Sequence, residues 1–185
     1  MILMHGANSI NRGGGEAIVR IGENIYSTVT INGLTWTKTN LREKTGTYTT
    51  IANDPLYTID RYGYLYSYAS KSSLESLLPE GWRLPTGKDW MNLINYSGGN
   101  ETGNPKVKAT TDWKNTSGAK IGTDDFGFSL LPASTDGSGL RTYMWSVPDS
   151  TRSQNRFSVD WDGTYFFWYT DAPSYRRPWR AVKDA

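Results

Sequence analysis

The segment Pro79-Glu80-Gly81-Trp82-Arg83-Leu84-Pro85-Thr86 is the most informative part of this sequence, because it joins a tight turn to the start of a helix. Gly81 permits a backbone turn that a Cβ atom would hinder, and Trp82 places a large ring beside it. Thr86, with Asp89 three residues later, has the spacing of a helix capping box. We interpret these residues as structural, and Arg83 as a hydrogen-bond donor to the fold rather than a ligand contact.

Two short helices are predicted, one on each side of this turn. In the first, Ser72 and Glu75 form a capping-box pattern and Pro79 ends the helix. In the second, Thr86 caps a helix that closes at Gly98-Gly99. The apolar stripes of both helices indicate core packing rather than a cofactor site. Their apolar residues are Leu74, Leu77, Leu78, Trp90, Leu93 and Ile94.

Short strands flank these helices. The chain becomes β-like from Ile18, and Asn32-Gly33 predicts a hairpin turn. Residues 45–61 and 99–125 are polar and predicted to be mostly loop, with one short segment around Val107. The later strands are predicted at Phe126–Leu131, Tyr143–Val147, Phe157–Trp161, Tyr165–Tyr169 and Trp179–Val182. This order predicts an α+β fold in which two short helices pack on small antiparallel sheets.

Composition excludes several classes of site. The chain has 185 residues, no cysteine and one histidine, His5, which argues against disulfides, thiolate metal sites and a histidine triad. A net charge of +2, spread along the chain, does not predict a nucleic-acid partner. We expect a flexible arm over residues 1–16, one domain over residues 17–185, no secretory signal, synthesis in the cytoplasm and no membrane insertion.

Five motifs, in order along the chain, resemble the major paralogous domain family first described from Fibrobacter succinogenes. The Gly-Trp-Arg-Leu-Pro element is the most specific of them, and the resemblance covers about residues 25–185. The motifs are Ile31-Asn32-Gly33-Leu34-Thr35-Trp36, Tyr62-Gly63-Tyr64-Leu65-Tyr66, Pro79 to Thr86, Gly127-Phe128-Ser129-Leu130-Leu131-Pro132 and Arg180-Ala181-Val182-Lys183-Asp184.

This resemblance implies a C-type-lectin-like fold, related in architecture to the formylglycine-generating enzymes. That enzyme activity depends on cysteines, which the chain lacks. Ala181 stands where the family often has cysteine, which fits maturation in a reducing cytoplasm. Some family members are variable proteins of diversity-generating retroelements in phages or prophages of gut bacteria. Their C-terminal segment is rewritten at adenine-containing codons and forms a ligand-binding face, so virion association is also implied.

The C-terminal third has the composition of a recognition surface. Of the 25 aromatic residues, 11 lie within residues 141–180, interleaved with Arg, Asp, Ser and Gly. Strand alternation places Tyr165, Phe167 and Tyr169 on one face and Phe166 and Trp168 on the other. A one-sided sheet buries one set, and the other meets a helix, a partner or a ligand. A strand buried on both faces is the alternative.

In the preceding predicted strand, apolar and polar residues alternate in the order Phe157-Ser158-Val159-Asp160-Trp161. We predict that Phe157, Val159 and Trp161 are core and that Ser158 and Asp160 face outward. The candidate ligand-binding residues are Arg141, Tyr143, Arg152, Asn155, Asp162, Tyr165, Phe166, Trp168, Asp171, Ser174, Tyr175 and Arg176.

We predict a non-enzymatic ligand-binding protein of the retroelement variable type, since no nucleophile–base pair or metal constellation can be assembled from the sequence. No cofactor or metal is expected, and the expected partner is a protein or glycan on a cell surface. Two alternatives stay open. One is a fixed-specificity carbohydrate- or surface-binding module. The other is a structural assembly protein, a homo-oligomer joined through residues 1–16 and the aromatic strand.

Overall fold

The computed structural model describes residues 17–51, 57–114, 121–135, 139–160 and 166–185. Over these residues the chain is a mixture of helices and small antiparallel sheets, so the predicted α+β class is confirmed. The predicted arm, residues 1–16, lies outside the described residues. The strands are β1 (Ile18–Ile21), β2 (Asn24–Ile31), β3 (Leu34–Thr37), β4 (Tyr48–Thr49), β5 (Leu65–Ser67), β6 (Arg141–Trp145), β7 (Arg156–Asp160), β8 (Phe166–Tyr169), β9 (Arg176–Arg177) and β10 (Val182–Asp184). The helices are α1 (Ile59–Tyr62), α2 (Lys71–Glu75), α3 (Gly87–Ser97) and α4 (Gly99–Val107), with a 3-10 turn over Tyr68–Ser70.

The largest sheet has four antiparallel strands in the order β1-β2-β3-β10. β2 and β3 form the predicted hairpin, in which Asn32 and Gly33 have φ angles of 46° and 77°. Two consecutive left-handed residues match the twist of the strands they join. β10 pairs with β3 through Val182 and Trp36. The last strand, β10, is therefore hydrogen-bonded to β3, which lies early in the sequence.

The predicted capping box at the start of α3 is confirmed. The Thr86 hydroxyl accepts a hydrogen bond from the Asp89 amide, and the Asp89 carboxylate accepts one from the Thr86 amide. Gly98 ends the helix in the left-handed conformation, with φ at 113°. Arg83 pairs with the same carboxylate, with 2.8 Å between Nη2 and Oδ1. This ion pair supports the structural interpretation of Arg83, although its side chain is partly exposed.

Arg180, unlike Arg83, is fully buried in the core. Arg180 donates from Nη1 to the carbonyls of Thr37 and Phe128, at 3.1 and 2.6 Å, and from Nη2 to the carbonyl of Ser129 at 3.0 Å. Its guanidinium also lies 4.2 Å from the centre of the Phe128 ring. Burial lowers the pKa of Arg180, and the charge of Asp124 opposes that shift. The arginine therefore joins β3, the segment around residue 128 and the approach to β10.

Three local predictions are wrong. Ser72 does not cap α2, because the chain is already helical from Tyr68 and the helix has Ser70 as its N-cap. Residues 126–131 do not form a strand. Gly127 and Ser129 have positive φ angles, and Arg180 binds two carbonyls of this segment.

The third wrong prediction concerns α4, which lies in a stretch that was predicted to be mostly loop. Its sequence contains two glycines and Pro105, all poor helix formers. Close packing against α3 explains why one of these glycines is present. A Cβ atom on Gly103 would lie 2.0 Å from the Ser97 hydroxyl, so α3 and α4 touch where only glycine fits. None of the helices in the described part of the chain has the length and apolar character needed to cross a bilayer.

Candidate ligand-binding site

The three-stranded sheet β6-β7-β8 has one face in the core and one face outward. The register places Tyr143 opposite Ser158, and Ser158 opposite Phe167. Alternate side chains share a face, so these three residues lie together on the outer face. We define the outer face as Arg141, Tyr143, Arg156, Ser158, Asp160, Phe167 and Tyr169. The prediction that Ser158 faces outward needs correction, because this small side chain lies between Tyr143 and Phe167 on the neighbouring strands and is only 1% exposed.

The inner face is apolar and packs on α3. Phe157 stacks on Trp90 with 4.7 Å between ring centres and on Phe166 at 5.4 Å. Met144 and Val159 complete this buried layer. The predictions that Phe157 and Val159 are core are confirmed, while Trp161 lies outside the described residues. This buried layer packs the sheet against α3.

Arginine and tyrosine side chains alternate across the outer face and the loop after β8. The Arg156 guanidinium lies 4.2 Å from the Tyr169 ring centre and 4.6 Å from that of Tyr143. The Arg177 guanidinium lies 4.7 Å from the Tyr143 ring centre and 5.2 Å from that of Tyr175. These distances are those of cation–π contacts. We call Tyr169, Arg156, Tyr143, Arg177 and Tyr175 the Arg–Tyr stack.

Asp171 holds both arginines of the Arg–Tyr stack. Its Oδ2 atom accepts from Arg156 Nη1 at 3.2 Å and from Arg177 Nη2 at 3.0 Å. The Asp171 backbone is itself fixed by Asn155, whose Oδ1 accepts from the Asp171 amide at 2.8 Å and whose Nδ2 donates to its carbonyl at 3.0 Å. Both residues are buried. They position the Arg–Tyr stack from below rather than face solvent.

The electrostatics of this cluster favour a positive surface. Arg156 and Arg177 share one carboxylate, and their side chains are only 12% and 10% exposed. Burial lowers the pKa of Arg177, the Asp171 charge opposes that shift, and the like charge of Arg156 adds to it. One positive charge is thus not balanced by Asp171. Such a surface can orient anionic and hydrogen-bond-accepting groups.

The loop that carries Tyr175 is anchored at several points. The Pro173 carbonyl accepts from the Tyr68 amide at 3.0 Å, and the Tyr175 amide donates to the Ala172 carbonyl at 3.0 Å. Arg176 Nη1 donates to the Ser174 carbonyl. Tyr175 itself is 51% exposed and Tyr169 is 46% exposed. The two ends of the Arg–Tyr stack are therefore open to solvent on a fixed backbone.

Comparison with known proteins decides the family. The model of the Fibrobacter succinogenes major domain matches residues 29–182. The chain belongs to this family. A search of curated proteins and a search of solved structures found no significant match. The matched region of this major domain runs from β2 to the first residue of β10, and it includes the whole Arg–Tyr stack.

Seven of the twelve predicted site residues belong to the outer face, to the 171–177 loop or to the residues that support the Arg–Tyr stack. Five lie at its surface: Arg141, Tyr143, Ser174, Tyr175 and Arg176. Asn155 and Asp171 lie beneath them and position the Arg–Tyr stack. Asp162 and Tyr165 lie outside the described residues, so no position is given for them.

The remaining three predicted residues lie on the other side of the sheet. Phe166 is only 5% exposed and packs on Phe157, which corrects its assignment to a recognition face. Trp168 is partly buried against the same core. The Arg152 guanidinium lies 5.4 Å from the Trp168 ring centre, and its Nη2 is 3.5 Å from Met91 Sδ on α3. The side chains of these three residues therefore lie on the core side of the sheet, away from the side chains of the Arg–Tyr stack.

Sequence reasoning missed four residues of the outer face and its loop, namely Arg156, Phe167, Tyr169 and Arg177. A signal for two of them was present. The alternation of β8 already separated Phe167 and Tyr169 from Phe166 and Trp168, but the sequence did not show which set faced the core. The antiparallel pairing of Phe157 with Trp168 and of Val159 with Phe166 decides this. This pairing between β7 and β8 is visible only in the tertiary structure.

Within the described ranges, no group of three or more His, Cys, Asp or Glu side chains could hold a metal ion. His5, the single histidine, lies outside those ranges. The side chains of the outer face and the 171–177 loop carry guanidinium, phenol, carboxylate and hydroxyl groups. These groups suit reversible recognition of a ligand.

Proposed function

We propose that this major domain is a non-enzymatic ligand-binding protein that presents the Arg–Tyr stack and the 171–177 loop as its recognition surface. The observation that carries the proposal is the construction of the Arg–Tyr stack. Its two end rings, Tyr169 and Tyr175, are about half exposed, while its arginines are held from below by Asp171. Tyrosine and arginine are the residues most often found at binding hot spots.

Preorganisation supports this proposal. A binding side chain that is already ordered loses less conformational entropy when the ligand arrives. In the Arg–Tyr stack, Arg156 is held by two rings and one carboxylate, and the sheet beneath it is packed on α3. A rigid scaffold with exposed Tyr, Ser and Arg side chains is the arrangement that paratopes use.

We further propose that the scaffold is C-type-lectin-like and that the chain is a variable protein of a diversity-generating retroelement, of the phage or prophage receptor-binding type. The support is that the exposed residues of the surface fall in one late segment, residues 141–177. Several of them, including Ser174 and Tyr175, have side chains that contribute little to the core. Such positions tolerate replacement, because exposed residues carry little of the folding free energy.

Comparison of the gene with a neighbouring near-copy tests the retroelement assignment. We expect differences to concentrate at adenine-containing codons of the exposed residues and to spare the codons for Asn155, Asp171 and Arg177. Differences spread evenly over the gene would contradict the assignment. An identical C-terminal third among sibling genes would instead favour a fixed-specificity surface-binding module.

A binding panel tests the recognition surface itself. The full chain is applied to arrayed bacterial surface proteins and glycans, beside the variants Tyr169→Ala and Tyr175→Ala. The matched control is Tyr96→Ala, since Tyr96 lies on α3 and is as exposed as Tyr175. We expect both site variants to lose binding about tenfold or more and the control to retain it. Equal binding by all three variants would contradict the proposal.

A further inference from the structure

The surface around the Arg–Tyr stack carries more arginine than carboxylate. In the described residues of the outer face and the 171–177 loop there are four arginines and two aspartates. These are Arg141, Arg156, Arg176 and Arg177, with Asp160 and Asp171. The whole chain has a net charge of only +2. These six residues have a net charge of +2, which equals the net charge of the whole chain.

The arrangement of Asp171 makes this excess specific. Both guanidinium groups contact the same Oδ2 atom, so one carboxylate serves two cations. A partly buried charge that lacks its own counter-ion is stabilised by an approaching anion more strongly than a solvated charge would be. The cluster is therefore poised for a negative group.

The rings of the Arg–Tyr stack discriminate between anionic ligands. A sugar ring stacks on the open face of an aromatic residue. Here a guanidinium lies over the ring of Tyr169, another lies over that of Tyr175, and two flank Tyr143. A ring face that already carries a guanidinium is not available to a sugar, so the exposed part of the stack combines ring surface with cationic groups. Such groups suit the mixed polar and apolar surface of a protein, where Tyr and Arg are enriched.

We propose that the ligand of this surface is an acidic protein surface, whose Asp or Glu carboxylates meet the guanidiniums of Arg141, Arg176 and the Arg–Tyr stack. The proposal rests on the proposed binding function and adds the chemical class of the partner. Charge complementarity of this kind speeds encounter and excludes basic partners. The effect weakens as salt screens the exposed charges.

Biolayer interferometry with the immobilised full chain tests this proposal. The probes are poly-L-glutamate for an acidic polypeptide, polygalacturonate for an acidic sugar, dextran for a neutral sugar and poly-L-lysine for a basic chain. Each is measured at low and at physiological ionic strength. The site variants are Arg141→Gln and Arg176→Gln. The matched control is Arg20→Gln on β1, which removes the same charge from an exposed position.

The expected result is binding of poly-L-glutamate that weakens with salt and falls about two- to fivefold in each site variant, while the Arg20→Gln control binds like the unaltered chain. An equal loss in the control would show a general charge effect and overturn the proposal. Tighter binding of polygalacturonate would indicate an acidic glycan and overturn it as well.

Two further outcomes separate this proposal from the proposed function. Binding of dextran alone, lost in Tyr169→Ala, would overturn the acidic-protein partner and leave a ligand-binding surface in place. Binding of none of the four probes would also overturn the acidic partner, and the array panel with the tyrosine variants then decides whether the surface binds any ligand.

Discussion

The two faces of the β6-β7-β8 sheet are both rich in aromatic residues, yet they are built differently. On the inner face rings meet rings, as Phe157 meets Trp90 and Phe166. On the outer face rings meet guanidiniums, as Tyr143 meets Arg156 and Arg177. Aromatic content by itself therefore does not separate a core from a recognition surface. The main neighbours of the rings are other rings on the inner face and guanidiniums on the outer face, with the exception of Trp168, whose ring contacts Arg152.

The contrast follows from solvation. A ring packed on rings leaves no polar group to satisfy, so the layer can be sealed from water. A guanidinium carries five donors and a charge, and it must keep some contact with water or with an acceptor. Arg180 meets this need in the core through three backbone carbonyls. The two arginines of the Arg–Tyr stack instead share one carboxylate near the surface, where the end tyrosines remain exposed. Three predictions test this difference, and a fourth tests how the segment after β6 is held on α3, in order from the largest effect on stability to the smallest.

Phe166 and Phe167 are neighbours on β8 and point to opposite faces. Phe166→Ala should lower the free energy of unfolding by about 3–5 kcal/mol, because it opens a cavity beside Phe157. Phe167→Ala should cost about 1 kcal/mol, since its side chain is only partly buried. Urea denaturation of both variants measures the two losses in the free energy of unfolding. Equal losses would show that the two faces do not differ in the proposed way.

Asp171→Asn should cost about 3 kcal/mol of folding stability, because it leaves two partly buried guanidiniums without their shared carboxylate. The bonds to Asn155 should persist, since they use the Asp171 backbone. Adding Arg156→Gln should recover part of the loss by removing one of the two cations. Thermal unfolding of the single and double variants checks this. A double variant less stable than Asp171→Asn alone would argue against charge imbalance as the cause.

Asp149 links the segment after β6 to α3. Its carboxylate accepts from the Lys88 amide at 2.8 Å and from the amides of Thr151 and Arg152. Burial acts to raise the pKa of Asp149, but the hydrogen bonds, led by that of Lys88, outweigh it and the pKa is lowered. Asp149→Asn should therefore cost about 1 kcal/mol at pH 7.

The pH dependence of that cost has a definite sign. An aspartate whose pKa is lowered by folding stabilises the folded state above its ordinary pKa, and this contribution is lost as the pH falls through the folded value. The difference between the unaltered chain and Asp149→Asn should thus begin to narrow below about pH 4 and continue to narrow as the pH falls through the folded pKa. Urea midpoints measured from pH 7 to pH 3 test this. A difference that widens toward low pH would contradict the assignment.

The smallest effect is expected at the exposed end of the Arg–Tyr stack. Tyr175→Ala should change the free energy of unfolding by no more than about 0.5 kcal/mol, because half of its side chain already faces water. The same variant should lose ligand binding. A large loss of stability in thermal unfolding would place Tyr175 with the inner-face residues and weaken the contrast between the faces.

Local chemistry was enough to predict the hairpin at Asn32-Gly33 and the capping box of Thr86 and Asp89. In both cases the responsible residues are adjacent or three apart, so the information is contained in a short window. It was not enough for α4, whose glycines oppose a helix but allow close contact with α3. Nor was it enough for residues 126–131, where Arg180 binds two carbonyls from 51 and 52 residues further along the chain.

The recognition surface divides in the same way. The sequence by itself determined that residues 141–180 are rich in aromatic and arginine residues, that cysteine chemistry is absent, and that β8 has two distinct sets of side chains. Only the tertiary structure decided that Phe166 faces the core, and that Arg156, Arg177 and Asp171 meet beneath Tyr143. The physical reason is register. Strand alternation is a local property, but the face that meets α3 is set by which residues pair across β6, β7 and β8.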